Sequence, residues 1–315
     1  MGGDLLIDTY GRKINYLRLS VTDRCNFRCF YCLSQKDFVL KRHDAILSYE
    51  QILKVAKIMS GLGVKYIKIT GGEPLLRKGI CEFVSKLTAL PFKDVSLTTN
   101  GFYLEEKADG LKEAGLKRIN ISIDSLDKNG FVKITGFDGL SQVLRGIKKA
   151  KEAGFNPIKI NAVALKGNKN QLSDFLDFAS ELSIQMRFIE SMAADKSYFL
   201  SNQELIDMLG NRLTLMEESG LGPASYYCLD SNGIKVGFIS PYSKKFCSSC
   251  NRLRLTADGY LKPCLFSDNK LNIKQLLDNG STDKEIEDVI IEAVASKPKD
   301  HDFKVLTDNM NCIGG

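Results

Sequence analysis

Three cysteines stand close together in the stretch RCNFRCFYC, where Cys25, Cys29 and Cys32 have the spacing C-x₃-C-x₂-C; we call them the first trio. A chance occurrence of this spacing is expected roughly 0.007 times in such a chain. Structural zinc normally takes four protein ligands, and the nearest candidate for a fourth is His43. Three thiolates alone fit a [4Fe-4S] cluster with one iron open to a small ligand, and thiols without any ligand are the alternative.

The second trio, Cys247, Cys250 and Cys264, has the spacing C-x₂-C-x₁₃-C. This spacing leaves open a second iron–sulfur cluster, a structural zinc ion or inert thiols. The candidates for a fourth zinc ligand are Cys228, Cys312 and His301. Arg252 and Arg254 follow two apart in a strand-like segment, so both side chains leave on one face and can bind phosphate oxygens. Beside a metal site they indicate a polyphosphate-binding pair, although solvated arginines are the commoner case.

The segment TGGEP, Thr70 to Pro74, follows the strand-like segment YIKIT. Its two glycines allow a ligand to approach the backbone closely, and the carboxylate of Glu73 can accept from an ammonium group. Taken alone, the segment is typical of a turn that ends a strand. Together with the cysteine loop it predicts a ligand-binding loop.

Six strand-like segments alternate with amphipathic helical segments between Tyr16 and Glu190: YLRLSV, YIKIT, VSLTTN, RINISI, IKINAVAL and IQMRFIE. In the first helical segment Ser48 can act as N-cap, Gln51 can complete a capping box, and Gly61 suits the C-terminal turn. Strands joined by helical crossovers pair in parallel. Six units predict an α/β fold, an open, partial (βα)₆ TIM-like barrel, with a doubly wound sheet as the alternative. The first trio then lies at the end of a strand, where barrel active sites lie.

The alternation stops after the sixth unit, and the sequence predicts two domains: a barrel over residues 1–192 and a small C-terminal module over 193–315, which carries the second trio and the terminal Gly-Gly. Two segments of the module predict hairpins that turn at Asn232-Gly233 and Asp258-Gly259. An amphipathic helix is expected from about residue 281 to 297.

The composition excludes several classes. A chain of 315 residues that is 43% hydrophobic can bury a large core, and its formal net charge of +6 suits a phosphate-bearing partner. Its longest apolar runs are far shorter than the roughly 18 residues of a membrane helix, and its first residues lack the pattern of a secretory signal. We therefore expect a cytoplasmic protein without a membrane partner. Nine cysteines then indicate metal binding or catalysis rather than disulfides.

The first trio and TGGEP resemble the radical S-adenosylmethionine (SAM) superfamily, whose cysteine loop has an aromatic residue, here Tyr31, before the third cysteine. The resemblance implies that the first trio holds a [4Fe-4S] cluster whose open iron chelates SAM. One electron from that cluster then cleaves SAM to a 5′-deoxyadenosyl radical. The resemblance also assigns Gly72 and Glu73 to the amino group of SAM.

Nearly end to end, the chain resembles the GTP 3′,8-cyclase (MoaA) family of molybdenum cofactor biosynthesis, over the blocks YLRLSVTDRCNFRCFYC, KITGGEPLLRKG, SLTTNG, RINISIDSLD, RFIESM, CSSCNRLRLTADGYLKPCLF and IGG. The resemblance implies hydrogen abstraction from C3′ of GTP and addition to C8 of guanine, which gives 3′,8-cyclo-7,8-dihydro-GTP. The implied cofactors are SAM and two [4Fe-4S] clusters. The implied partners are GTP, an electron donor such as flavodoxin or ferredoxin, the downstream cyclic pyranopterin monophosphate synthase and a possible homodimer, without nucleic acid.

The resemblance assigns site residues position by position. The SAM-contacting positions are Tyr31, Gly72, Glu73, Ser122 and Met192. The GTP-contacting positions are Arg18, Lys68, Thr98, Lys159, Arg252 and Arg254, with Arg187 as a further inward cation. The catalytic positions are Arg252, Arg254, Gly314 and Gly315, because the terminal Gly-Gly of the family enters the active site, whereas most termini fray.

The strand pattern agrees with these assignments. Arg18, Lys68, Lys159 and Arg187 occupy inward-capable positions on successive strands. A buried charge is costly unless it is paired, so four inward cations are sensible if together they neutralise a triphosphate.

Two rival functions remain at this stage. A radical SAM enzyme with an auxiliary cluster that modifies a peptide would share both trios, but the inward cations and the terminal Gly-Gly speak against it. A zinc-dependent nucleic-acid-binding protein would need basic and aromatic residues clustered on an exposed face, and the sequence has no such run. The segment between Met192 and Cys247 is shorter than is usual in the family, which leaves the packing of the second-cluster module open.

Overall fold

The computed structural model describes residues 6–32, 40–192, 195–217, 222–231, 233–301 and 310–314, with only the backbone at 311 and 312. The strands are β1 (Tyr16–Ser20), β2 (Tyr66–Thr70), β3 (Asp94–Thr99), β4 (Arg118–Ser122), β5 (Ile158–Ala164), β6 (Gln185–Glu190), β7 (Leu213–Leu215), β8 (Ser225–Leu229), β9 (Ile234–Ile239), β10 (Arg252–Leu255), β11 (Tyr260–Lys262) and β12 (Leu271–Asn272). The α-helices are α1 (Tyr49–Gly61), α2 (Ile80–Thr88), α3 (Leu104–Glu113), α4 (Lys128–Thr135), α5 (Leu140–Glu152), α6 (Leu172–Glu181), α7 (Asn202–Leu209), α8 (Ile273–Asp278), α9 (Asp283–Ala295) and α10 (Met310–Ile313).

The strands of these ranges form one sheet in the order β12-β11-β10-β1-β2-β3-β4-β5-β6-β9-β8-β7. Strands β1 to β6 are neighbours in sequence order and parallel, which confirms the predicted partial barrel; a doubly wound sheet would reverse its order. The sequence did not predict that β10 pairs in parallel with β1 and β9 with β6. The C-terminal part thus extends the barrel sheet at both edges, while its division from the barrel at residue 192 stays a prediction.

The sheet curls strongly. Strands β1 and β6 are five positions apart in the sheet, about 24 Å if the sheet were flat. Burial is the largest cause that lowers the pKa of Arg18 in β1 and of Lys68 in β2, yet the charge of Arg187 in β6 also contributes to both shifts. Such an interaction requires the charged groups to lie close together, so the inner faces of β1, β2 and β6 face one another across the barrel interior.

Alternation along the strands sorts residues between the two faces. In β5 the buried positions Ile158, Ile160, Ala162 and Ala164 alternate with partly exposed ones. The buried apolar side chains pack against the surrounding helices, and the partly exposed side chains between them face the interior of the barrel. The interior is therefore available for polar side chains.

The predicted cap of α1 is confirmed, because Ser48 accepts from the backbone N–H of Gln51 and the Gln51 side chain accepts from the N–H of Ser48. Helix α1 ends at Gly61, but the left-handed residue that reverses the chain is Gly63, with φ of 89°. The turn therefore lies two residues later than predicted.

The two predicted hairpins form as β8–β9 and β10–β11, with Gly233 and Gly259 at positive φ; Asn232 lies outside the described residues. The predicted C-terminal amphipathic helix is α9. Within the described ranges, every helix is too short or too polar to cross a bilayer.

Candidate active site

The loop that carries the first trio follows β1 and is anchored on both sides. The backbone N–H of Gly72 donates to Thr22 O at 2.7 Å, and that of Glu73 donates to Arg24 O at 2.7 Å. Inside the loop, Phe27 packs against an aromatic group formed by Phe102, Phe131 and Phe137. These contacts hold the three thiols at the carboxyl edge of the sheet.

The glycines of TGGEP are required by the cysteine loop itself. A Cβ atom at Gly72 would lie 2.3 Å from Arg24 O, and one at Gly71 would lie 2.7 Å from Thr22 O. The sequence predicted that a ligand approaches these glycines closely, and in the structure the backbone of the cysteine loop does so. The contact of Gly72 with SAM stays a prediction.

Glu73 is fully buried, and its carboxylate already has three donors. It accepts from the backbone N–H of Leu75 at 2.9 Å, from Thr99 Oγ1 at 2.7 Å and from the N–H of Asn100 at 2.6 Å. Burial raises the pKa of Glu73 to about 7. In this structure Glu73 positions the segment after β3, and its predicted contact with the SAM amino group stays a prediction.

Tyr31 is fixed by Asp124, a residue that the sequence analysis missed. The hydroxyl of Tyr31 donates to Oδ2 of Asp124. Oδ1 of Asp124 accepts from the N–H of Val163 at 2.7 Å. Burial raises the pKa of Asp124 to about 6. Ser122 ends β4 and Met192 follows β6, so the predicted SAM-contacting residues lie at the carboxyl ends of the strands. The position of Asp124 directly after a predicted strand end was the available signal.

The predicted GTP-contacting cations lie in rows across the inner face of the sheet. Residues in register on neighbouring parallel strands project on the same side. The rows are Arg254, Arg18, Lys68 and Ser96; then Thr98, Asn120 and Lys159; then Asn161 and Arg187. The sheet thus brings these cations together, and Arg252 precedes them in β10 with its guanidinium 4.9 Å from the centre of the Phe246 ring.

These inner cations lack acidic partners. In the described part of the chain no carboxylate forms an ion pair with Arg18, Lys68, Lys159, Arg187, Arg252 or Arg254. Arg118, on the same face, does pair with Asp94. Burial lowers the pKa of Arg18 to about 10, opposed by Tyr16 and reinforced by Arg252 and Arg187. The site therefore holds a surplus of positive charge.

A cavity lies among these cations, and its walls include residues that the sequence analysis did not name. Tyr16, Ser96, Arg118 and Asn120 line it together with Lys68, Lys159, Arg187, Pro157 and Gly222. Tyr226 approaches from β8, with its hydroxyl 3.2 Å from Lys159 Nζ. The alternation along β4 could have identified Asn120 as an inward residue. No local sequence pattern indicated that the β8 hairpin would reach the barrel interior.

The C-terminal tail lies inside the barrel. The carbonyl oxygen of Gly314 accepts from Arg18 Nε at 3.1 Å and from Arg254 Nη1 at 3.0 Å. Gly314 has φ of 70°, and a Cβ atom there would lie 2.0 Å from Thr70 Oγ1. The expected entry of the tail is therefore seen at Gly314, whereas Gly315 lies outside the described residues.

In the second trio, Cys247 and Cys250 lie in the loop before β10, and Cys264 follows β11. Its thiols are free and partly buried. Burial is the largest cause that raises the pKa of Cys247, and the neighbouring thiols of Cys264 and Cys250 also raise it. The backbone N–H of His301 bonds to Cys247, while the His301 ring packs 4.3 Å from that of Phe266. His301 as a fourth zinc ligand stays an untested alternative.

The donor sets fit iron–sulfur clusters better than zinc. Cys228 lies in β8 at the other end of the strand order, and the side chain of Cys312 is outside the description. Among the described residues, no three His, Cys, Asp or Glu side chains converge closely enough to hold one metal ion. The thiolates of a cubane bind different irons and stand farther apart than the ligands of a single ion. Each trio supplies three thiolates, the number that leaves one iron of a [4Fe-4S] cluster without a protein ligand.

Comparisons with known proteins agree with this geometry. The Radical SAM superfamily model matches residues 19–179, and the Molybdenum Cofactor Synthesis C model matches residues 184–303. Among solved structures, SuiB of Streptococcus suis bound to S-adenosylmethionine is similar with a TM-score of 0.61 at 16% identity, over 84% of this chain. This chain spans 62% of the SuiB chain. The fold is that of a radical SAM protein.

Two curated relatives narrow the class. A GTP 3′,8-cyclase of Thermodesulfovibrio yellowstonii is 44% identical over 93% of this chain and 94% of its own length. A GTP 3′,8-cyclase of Alkaliphilus oremlandii is 42% identical over 98% of this chain and 99% of its own length. The chain belongs to the GTP 3′,8-cyclase family of the radical SAM superfamily.

Proposed function

We propose that this protein converts GTP to 3′,8-cyclo-7,8-dihydro-GTP, the first step of molybdenum cofactor biosynthesis. Its relatives of that name align over nearly their whole length, and its second half matches the Molybdenum Cofactor Synthesis C model. The observation that carries the proposal is the set of inner cations on β10, β1, β2, β5 and β6, which have no acidic partner among the described residues.

The cations supply a binding site for a triphosphate. Burial is the largest cause that holds the pKa of Lys68 well below its usual range, and the positive charges of Arg187 and Arg18 are the next causes. A buried cluster of this kind is costly in the empty protein and favourable once a polyanion enters. Lys159 and Arg187 are oriented by Tyr226 and Asn120, which keeps both side chains directed into the cavity.

We assign the cofactors to the residues that the sequence predicted for them. The first trio would bind a [4Fe-4S] cluster, with Tyr31, Gly72, Glu73, Ser122 and Met192 around SAM, and the second trio would bind another cluster. When bound, the first cluster and SAM supply the 5′-deoxyadenosyl radical that takes a hydrogen atom from C3′ of the ribose. The chain itself fixes Tyr31 through Asp124 and anchors the cysteine loop through Glu73 and Gly72.

The tail closes the site from the β10–β1 side. The carbonyl oxygen of Gly314 accepts one N–H from Arg18 and one from Arg254. Each guanidinium group therefore keeps further N–H donors for the substrate. Ile313, next to Gly314 in the chain, is fully buried. We assign Arg252, Arg254 and the terminal Gly-Gly to orientation of the reacting nucleotide.

The test is nucleotide-dependent radical formation. Protein reconstituted without oxygen should hold about eight irons per chain. With SAM and dithionite it should form 5′-deoxyadenosine and the cyclised product when GTP is present, and much less with ATP or without nucleotide. Formation of 5′-deoxyadenosine that ignores GTP contradicts the proposal, and zinc in place of iron removes the radical chemistry altogether.

The electron donor is proposed to be acidic. Arg24, Arg28, Lys41 and Arg42 are exposed around the loop of the first trio. A flavodoxin or ferredoxin with an acidic face would be steered to this rim, so its rate of electron transfer should fall steeply with salt. A salt-independent rate would contradict this docking. The downstream cyclic pyranopterin monophosphate synthase, a homodimer and a cytoplasmic location stay predictions.

A further inference from the structure

Lys297, two residues after α9, reaches into the backbone around the second trio. The residue is 3% exposed. Its ammonium group donates to Arg252 O at 2.9 Å and to Pro263 O at 2.6 Å. Arg252 is two residues after Cys250, and Pro263 immediately precedes Cys264. One ammonium group thus ties together the two chain segments that carry the second and third cysteines of this trio.

Among the described residues, no carboxylate acts on the charge of Lys297. The groups that favour its charged form are Cys250 and Cys264, as thiolates. Two carbonyl groups satisfy hydrogen bonds but carry no net charge. A buried ammonium group is costly unless an anion lies nearby, so this position is favourable only when the trio is negative.

A second buried cation near the trio shows the contrast. Arg12 donates to Cys247 O at 2.8 Å and to the carbonyl oxygens of Lys299 and Pro298 at 3.0 and 2.6 Å. Its charge is balanced by Asp8, whose carboxylate lies 2.5 Å from Arg12 Nε. Arg12 therefore holds the segment after Lys297. Among the cations whose charges favour the thiolate of Cys250, Lys297 comes before Arg252.

We propose that Lys297 is the counter-cation of the second cluster and a positioning residue for its ligands. The inference rests on the proposed cluster at the second trio. A [4Fe-4S] cluster with three thiolates is negative, and more so when it is reduced, so a fixed cation favours the reduced state and raises the midpoint potential. The same ammonium group keeps Cys250 and Cys264 at the spacing that the cluster needs.

The test separates charge from hydrogen bonding with three substitutions. Lys297→Arg keeps the charge, Lys297→Gln keeps N–H donors without charge, and Lys297→Met keeps only the length of the side chain. The control is Lys284→Met, which removes an exposed cation from α9. Iron content is measured in the full chain after anaerobic reconstitution. The midpoint potential of the second cluster is measured by paramagnetic resonance in full-length protein whose first trio is replaced by alanine.

We expect Lys297→Gln to lower the midpoint potential, Lys297→Arg to keep it near that of the unsubstituted protein, and Lys284→Met to leave it unchanged. Lys297→Met should lower it further or lose the second cluster, with iron falling from about eight to about four per chain. A Gln variant with the unsubstituted potential overturns the charge role, even if the Met variant does not fold. The absence of iron from the protein whose first trio is replaced by alanine would instead refute the second cluster itself.

Discussion

The carbonyl oxygen of Gly314 lies 3.0 Å from Nη1 of Arg254, deep inside the barrel. The same oxygen accepts from Arg18, the register partner of Arg254 on the neighbouring strand. A neutral carbonyl orients two guanidinium groups without cancelling their charge. The tail therefore prepares these arginines for an anion, and an altered tail should impair the reaction without removing either cluster.

Gly314→Ala is expected to lower product formation at least about 10-fold, because its Cβ would lie 2.0 Å from Thr70 Oγ1 and L-residues disfavour φ of 70°. The measurement is the rate of product formation together with iron content, which should not change. Thr70→Ala in the same chain removes the oxygen that the new methyl group strikes and should restore part of the rate. A Gly314→Ala variant with the unsubstituted rate would show that the tail position is not needed.

Gly72→Ala is expected to cost the first cluster. Its Cβ would lie 2.3 Å from Arg24 O, a backbone atom of the cysteine loop that has no freedom to swing aside. Iron should fall from about eight to about four per chain after reconstitution. Gly61→Ala is the matched control, since its Cβ meets nothing within 4 Å, and in a helix it should stabilise by up to about 1 kcal/mol. Equal iron in both variants would contradict the prediction.

The inner cations could be predicted from the sequence because a strand has a period of two and parallel neighbours in register share a face. Arg18, Lys68 and Lys159 therefore lie where alternation placed them. The edges of the barrel could not be predicted in this way. The pairing of β10 with β1 joins residues more than two hundred positions apart in sequence, and no local pattern encodes such a partner.

The polar residues that tune the site were the least predictable. Arg118 is in register with Ser96 on the inner face, and only the fold shows that Asp94 neutralises it. Tyr226 belongs to a hairpin whose period gives no sign that it meets Lys159. Glu73 was predicted to face a ligand, but two of the three donors to its buried carboxylate, Thr99 and Asn100, are adjacent to it only in the folded chain.

Glu73→Gln is expected to destabilise the protein without cofactors by about 1–3 kcal/mol, because the new NH₂ group must face a backbone N–H or the Thr99 hydroxyl where an acceptor was. Urea unfolding of the cofactor-free chain measures this. Since burial raises the pKa of Glu73 from 4.5 to about 7, its contribution to stability is full below pH 4.5 and is lost as pH rises through about 7.

The pH dependence gives a second check on Glu73. The fall in stability between about pH 4.5 and 7 should be smaller in Glu73→Gln, because the amide does not titrate. Glu106→Gln, at an exposed position on α3, is the control and should leave both the stability and its pH dependence nearly unchanged. A Glu73→Gln variant as stable as the unsubstituted chain would show that the three donors matter little.

GTP binding is expected to take up protons at Lys68. Burial, followed by the charges of Arg187 and Arg18, holds the pKa of Lys68 well below 10.5 in the empty site. A triphosphate beside the ammonium group favours its charged form and raises that pKa again. Between the lowered pKa and about 10.5, binding therefore takes up a proton, and affinity for GTP falls as pH rises.

Calorimetry of GTP binding without SAM, in two buffers of different ionisation enthalpy, measures this proton uptake. Lys68→Met should abolish its Lys68 component and weaken GTP binding at least about 10-fold, since it removes a charge-assisted contact. Lys57→Met, at an exposed position on α1, should change neither quantity. If the binding enthalpy is independent of the buffer throughout this pH window, Lys68 does not meet the triphosphate, and the row of cations that begins at Arg254 must bind a different part of the substrate.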